Sequence, residues 1–212
     1  MKILVTAGPT REIIDPVRYI TNRSSGKMGY ALAEALIRAG HRVVLVSGPV
    51  TLPAPQGLDR LIRVESAAQM AEAVKAVFPE CGGAVMCAAV ADYRPAEPAS
   101  GKIRKSEGDL ILRLERTEDI LLSLGRMKKA DQLLVGFAAE TEDLKERALG
   151  KMERKNLDWI IANRVGLPDR GFQSDDNAAT AYARTGRVEE FPLMSKSLLA
   201  EKIAELIFPA SR

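Results

Sequence analysis

KILVTAGPTREIIDPVRYITNRSSGKMGYALAEALIRAGHRVVLVS, residues 2–47, strings together a buried strand, a long polar connection, an amphipathic helix and a second buried strand. Lys2–Ala7 and Arg42–Ser47 are near-continuous runs of Val, Ile, Leu and Ala, as in strands covered on both faces. Between them apolar residues recur at helical spacing from Lys27 to Ala39, and Gly40 ends the helix. Two such strands joined through a helix form a parallel crossover unit. The connection Gly8–Gly29 is 22 residues long, and connections of that length are rarely idle in a compact domain. Its last part, Asn22-Arg23-Ser24-Ser25-Gly26, runs straight into the helix. Small hydroxyl residues and a glycine at a helix start leave backbone N–H groups facing outward, a place for a phosphate or carboxylate.

The same rhythm continues along the chain. It predicts helix Ala67–Val77, strand Gly83–Ala89, strands Leu133–Ala138 and Asp158–Ala162, and helix Glu142–Lys155 between the last two. Ser195–Phe208 reads as a closing helix with Ser195 as its N-cap. The expected fold is α/β, a Rossmann-like, mainly parallel sheet with helices on both faces. Residues 1–212 read as a single domain with two insertions. One is an arm or flap over about 93–114, ending in an alternating strand Leu110–Leu114. The other is a hairpin over Ala178–Pro192, turning at Thr185-Gly186-Arg187.

Composition excludes several classes. The charge of +3, from 31 basic and 28 acidic residues, is too balanced for a nucleic-acid footprint, and aromatic residues make up only 5% of the chain. Cys81 and Cys87 match no metal-binding spacing, and His41 is the lone histidine, so a zinc site is not expected and buried bystander thiols are. The longest uncharged apolar run, Ala84–Ala91, is far short of a membrane span. The N-terminus reads as a strand without a signal sequence, so a reduced, cytoplasmic protein is expected.

The fold invites a dinucleotide, but the chain lacks its fingerprint. Gly8-Pro9-Thr10 follows the first strand instead of a GxGxxG, and Ser47-Gly48-Pro49 closes the second without an acidic residue for a ribose. A short-chain-type NADP reductase, the rival reading, needs a Tyr-x-x-x-Lys pair, and Tyr19 and Tyr93 have no lysine four residues on. Ligand is expected at the carboxyl ends of the strands, where Gly8–Thr10, Ser47–Pro49, Ala88–Asp92, Phe137–Thr141 and Asn163 meet. Asp92 reads equally as a ribose or metal partner and as a helix N-cap. Lys102, Arg104 and Lys105 form either a cationic flap for phosphates or a solvated charge run. Lys151 and Lys155, with Arg147, share one helix face, as triphosphate contacts or as an exposed basic stripe. No Ser/His/Asp or Cys/His set stands ready for covalent catalysis.

In this order the blocks TAGPTREIIDPVRYITNRSSGKMG, LVSGPVTLP, AAVADYRP, GKIRK, VGFAAET, KNLDWIIAN and GFQSDDN closely resemble the phosphopantothenate–cysteine ligase family, over residues 6–177. The resemblance implies CTP-dependent ligation of 4'-phosphopantothenate with L-cysteine through an acyl cytidylate, with Mg2+ as cofactor. It also implies a homodimer whose strand-bearing arms complete each other's sites, with Arg94–Leu114 and the Ala178–Pro192 hairpin as candidates for that arm, and a fused or separate flavin-dependent decarboxylase; no flavin is expected in this chain. By the same resemblance, Asn22 holds the acyl cytidylate and Lys102 is the phosphate lysine of its formation. Ser24, Ser25 and Gly26, with Gly8, Thr10 and Arg18, would serve the phosphopantothenate side. Met86, Cys87, Ala88 and Asp92 would form the cytidine pocket, with Arg116, Thr117, Glu118, Asp119, Phe137, Lys151 and Lys155 as further nucleotide contacts. The chain departs from the family pattern at Pro9, at Glu118 and at Arg104, the last keeping its charge.

Overall fold

In the computed structural model, which describes residues 1–105, 107–140, 144–164 and 174–210, Lys2–Ala7 (β1) runs through the middle of an eight-stranded sheet. Arg11–Asp15 (β2) and Arg18–Thr21 (β3) follow as a small antiparallel hairpin, then helix Lys27–Arg38 (α1) and strand Arg42–Ser47 (β4). Arg60–Arg63 (β5), helix Ala67–Val77 (α2) and Gly83–Met86 (β6) complete the first half. Tyr93–Pro95 (β7) pairs with Leu114–Arg116 (β8) as a second small hairpin, followed by helix Ile120–Met127 (α3). Leu133–Glu140 (β9), helix Leu144–Arg154 (α4), Trp159–Arg164 (β10), Asp176–Ala183 (β11), Val188–Ser195 (β12) and helix Lys196–Ile207 (α5) close the chain.

The sheet order is β12-β11-β10-β9-β6-β1-β4-β5, and the six strands from β5 to β10 are parallel. This is the doubly wound order of dinucleotide folds, with its reversal between β1 and β6. Alternate side chains of the strands feed two cores. Ile3, Val5, Val43, Leu45, Val85 and Ile161 pack under α1 and α5, whereas Leu4, Val44, Ala84, Leu134 and Ile160 pack under α2, α3 and α4. The expected α/β class and layering stand.

Several expectations are corrected. The segment expected as the hairpin Ala178–Pro192 exists but is no projecting arm. Its first strand, β11, pairs antiparallel with β10, so the hairpin extends the main sheet and buries Ala179, Ala181 and Phe191. The strand expected to reach Ala89 ends at Met86, because the next amides are recruited elsewhere: Ala88 N donates to Thr6 Oγ1 and Ala89 N to Gly8 O. Of Leu110–Leu114 only Leu114 joins a strand, and Ile111 is 88% exposed, because no layer of this chain covers that apolar alternation. Thr141, the expected helix start at Glu142 and residues 171–173 lie outside the described residues. No described helix is long and apolar enough to cross a membrane.

Candidate functional site

The carboxyl ends of β1 and β6, where the winding reverses, are sewn together. Ala89 N donates to Gly8 O (2.9 Å), Thr10 N to Ala89 O (3.3 Å), and Pro9 and Ala89 form an isolated parallel bridge. The loop after β4 closes over this seam at Gly48, where an added Cβ would lie 1.8 Å from Pro9 O. At this edge of the sheet lie two clefts of about 570 and 440 Å3, the first touching the seam at Ala89. They share one wall of Ala88, Val90, Asp92, Tyr93, Phe137 and Lys151.

The first cleft opens at the start of α1 and is lined by Asn22, Ser24, Ser25, Gly26 and Lys27. Gly26 is the N-cap at φ +78°, without a side-chain cap bond, and an added Cβ would meet Val50 Cγ1 at 2.7 Å. Backbone of that conformation suits glycine and keeps the helix N-terminus open to an anion. Asn22 is held at both ends of its amide: Oδ1 accepts from Ser24 N (2.8 Å) and Nδ2 donates to Ala89 O. Opposite stand Asn163, the buried Asn177 and the buried Lys196, first residue of α5. Lys196 Nζ donates to Ser174 O, and Lys27 Nζ donates to Asp175 Oδ1 at 2.6 Å. Burial lowers the Lys196 pKa, and the neighbouring Lys27 charge adds to that, while Lys27 in turn holds the Asp175 carboxyl low. The Cys87 thiol in the same cleft is pushed up to about 12 by burial, so it is no ready nucleophile.

The second cleft is lined by Met86, Arg116, Thr117, Glu118, Asp119, Phe137, Lys151 and Lys155, among others. Three of its charged side chains are engaged in ion pairs. Lys155 Nζ, on a residue 8% exposed, lies 2.8 Å from Asp119, and Lys75 Nζ lies 2.7 Å from Glu118, which also accepts from Ser123 Oγ. Burial raises the Asp119 pKa, but Lys155 and the Leu122 N–H outweigh it and leave the carboxyl low. Lys75 and then Ser123 likewise lower Glu118. Asp119 also caps α3, accepting from Leu122 N at 3.1 Å. Thr117 Oγ1 donates to Ala91 O at 2.6 Å, tying this cleft's floor to the shared wall. Lys151 Nζ donates to Phe137 O at 3.1 Å.

Most residues singled out from the sequence thus line one or both clefts, whereas Gly8, Thr10, Arg18, Lys102, Arg104, Lys105 and Arg147 line neither. Gly8 and the buried Thr10 build the seam, Thr10 Oγ1 accepting from Ala91 N. Arg18 is engaged with Asp15 and Ile103 O, and Lys102 is exposed on a loop outside both clefts. Arg147, grouped with the helix lysines from the sequence, is exposed and lines neither cleft. Asp92 precedes β7, not a helix, so its N-cap alternative falls. Both cysteines are free thiols; Cys81 is buried as expected and Cys87 only partly. Asn177, Lys196 and Asp15 were missed from sequence. A lysine directly after the N-cap Ser195, at the positive end of a helix, was the one available signal.

The family model for the DNA/pantothenate metabolism flavoprotein C-terminal domain matches residues 1–210. The chain is 48% identical over 99% of its length to the coenzyme A biosynthesis bifunctional protein CoaBC of Bacillus subtilis (strain 168), and 48% identical over 97% to that of Vibrio vulnificus (strain CMCP6). These alignments cover 52% and 51% of the relatives, so the chain spans about half the length of the curated relatives it matches. A crystal structure of the C-terminal domain of a CoaBC protein superposes with a TM-score of 0.82 at 44% identity, covering 97% of this chain and 93% of that one. The reductase alternative finds no support in these comparisons. The chain belongs to the family of DNA/pantothenate metabolism flavoprotein C-terminal domains.

Proposed function

We propose that this chain joins 4'-phosphopantothenate to L-cysteine at the expense of CTP, through an acyl cytidylate, as the ligase of coenzyme A biosynthesis. The observation that carries the reading is the shared wall: two polar clefts, each supplied with cations, meet along Ala88–Tyr93. The first, with the open start of α1, Lys27 and Lys196, suits a phosphorylated acid. The second, with Lys151 and Lys155, suits a nucleoside triphosphate. In the first step a carboxylate oxygen attacks the α-phosphorus, an O–P bond forms, and pyrophosphate leaves. In the second the cysteine amine attacks the acyl carbon, the C–O bond to CMP breaks, and the amine proton is released. Neither step needs a protein nucleophile; both need two anions held together with their charge offset.

Asn22, fixed by Ser24 and Ala89, offers its remaining amide N–H to the acyl phosphate at the seam. Lys102 would approach the triphosphate from its exposed loop, and Asp92 faces both clefts. Among the described residues no cluster of three or more His, Cys, Asp or Glu could hold a metal ion. Magnesium on a triphosphate keeps most of its waters and needs one or two carboxylates, which Asp92 fits. Bound there, it would neutralise phosphate charge. The exposed Ile13, Val17, Tyr19, Tyr93, Leu110 and Ile111 on and around the two small hairpins support a homodimer through that face. The bifunctional name of the relatives, about half of whose length this chain spans, supports a second catalytic half, which in the family resemblance is a flavin-dependent decarboxylase, fused or separate.

The test is pyrophosphate release with phosphopantothenate and magnesium, comparing CTP, ATP and UTP, first without and then with cysteine. CTP-dependent release, with product amide only on adding cysteine, is expected. No release with any nucleotide would sink the ligase reading.

A further inference from the structure

The hairpin inside Gly8–Gly29 is tied to the body at one side and to a distant loop at the other. Glu12, 3% exposed, accepts from Ala67 N at the start of α2 (2.8 Å). Asp15, 1% exposed, reaches the opposite way. Its Oδ1 accepts from Val17 N and Arg18 N, both at 2.8 Å, and its Oδ2 accepts from the Arg18 guanidinium and from Ile103 N at 3.1 Å. The same guanidinium donates to Ile103 O at 2.8 Å, so the Ile103 backbone is gripped on both sides. Four residues earlier, Ala99 N donates to Ile14 O at 2.9 Å. Residues 99 and 103 are therefore docked on the hairpin, and only Ser100-Gly101-Lys102 spans between them. Gly101 stands in open space.

We propose that Asp15 is a positioning residue for the reaction: it clamps the loop that carries Lys102, with Arg18 as the second jaw of the clamp. This rests on the reading above, in which Lys102 acts on the triphosphate. A lysine on a long stem in an untethered loop visits many positions, and misplacement by about 1 Å can cost about 100-fold in rate. A carboxylate removed from water persists in such a place only with its charge fully answered, and here three backbone amides and a guanidinium do so. The clamp also assigns Arg18 a task without substrate. Its guanidinium is spent on Asp15 and the Ile103 carbonyl, outside both clefts.

The test uses Asp15→Asn and Arg18→Gln in the full chain, each compared with wild type at a temperature well below its own Tm. Trypsin reports the loop directly, since Lys102, Arg104 and Lys105 are exposed. Nicking there should speed up about tenfold in Asp15→Asn, with cleavage elsewhere unchanged. Pyrophosphate formation should fall about 10- to 100-fold in kcat, with nucleotide KM moved less than about threefold. Coupling of cysteine to acyl cytidylate supplied preformed should stay within about twofold of wild type. Unchanged nicking, or equal losses in both half-reactions, would overturn the clamp. Should Asp15→Asn not fold, Arg18→Gln, which keeps the backbone bonds to Asp15, must show the same pattern more weakly, or the proposal fails. If the wild type releases no pyrophosphate, the ligase reading falls while the nicking comparison still decides the clamp.

Discussion

The two clefts on either side of Ala88–Tyr93 are built on opposite plans. The first is made of backbone and amides that are already aimed: an uncapped helix start at Gly26 and an Asn22 fixed at both atoms of its side chain. Its cations are held as well, Lys27 by Asp175 and Lys196 by Ser174 O, so the aimed groups are the amides and the helix start. In the second, the buried Lys155 is paired with Asp119, and the lining Glu118 is held from outside by Lys75. A triphosphate entering there must take over a lysine from an aspartate that also caps α3. Preorganised dipoles suit the place where bonds change, whereas exchangeable ion pairs suit a ligand that arrives and leaves. On the proposed function, the contrast would put the chemistry in the first cleft and nucleotide affinity in the second.

The largest effect should come from separating the half-reactions. Lys102→Gln is expected to lower pyrophosphate release about 100- to 1,000-fold, the scale for removing one charge-stabilising donor. Asn22→Asp should keep that step but couple cysteine about 100-fold more slowly, since a carboxylate would face the Ala89 carbonyl and repel the acyl phosphate. Quenched single-turnover chromatography should then find acyl cytidylate accumulating in Asn22→Asp and none in Lys102→Gln. The reverse pattern would undo the assignment of roles. Next in size, Lys155→Met should raise nucleotide KM about 10- to 100-fold, the scale of a lost charged hydrogen bond, and leave the phosphopantothenate KM within about twofold. Equal changes in both would mean the clefts are not separable.

Acid should reach the second cleft through Asp119. Its folded pKa lies below its ordinary value, so its contribution to stability is present above an unfolded carboxylate pKa of about 3.9 and is lost as pH falls through the lower, folded value. Wild type should therefore lose Tm on acidification below about pH 4 more steeply than Lys155→Met, measured by calorimetry. The smallest effect concerns Cys87. With its thiol pushed up to about 12, iodoacetamide should label it at pH 8 about 1,000-fold more slowly than free cysteine, read by mass spectrometry. Rapid labelling would show that the first cleft is wetter than its geometry implies.

How far the sequence carried depended on how local each signal was. β1, β4 and α2 lie where their apolar period put them, and α1 differs by one residue, because each is fixed by its own side chains. The β2–β3 hairpin escaped because its defining residues look outward from the sequence. Glu12 and Asp15 resemble solvated charges, yet their partners are Ala67 and Ile103, 55 and 88 residues away. The strand pair β11–β12 was legible as a hairpin, but nothing in its residues says that it continues the main sheet. Among the cleft-lining residues, Asn22, Ser24–Gly26, Lys151 and Lys155 were legible from motif and spacing, although Lys155 falls just past the end of α4. Lys196 was not, because a lysine opening a helix looks like any surface lysine until Asp175, Lys27 and the cleft wall surround it.

The ends of the sheet carry a consequence of their own. On β12 the register slips at Pro192, since Asn177 pairs with Met194 and Ala179 with Phe191, leaving two residues of β12 opposite one of β11. A proline at such a slip lacks the donor that another strand would need, and Glu189 and Glu190 add like charges along that border. At the far side β5 is four residues long and begins and ends with arginine. Eight strands without such borders would invite addition of further strands at either side. Here proline and irregular pairing on β12, and shortness and charge on β5, make both borders poor templates for a neighbour's backbone.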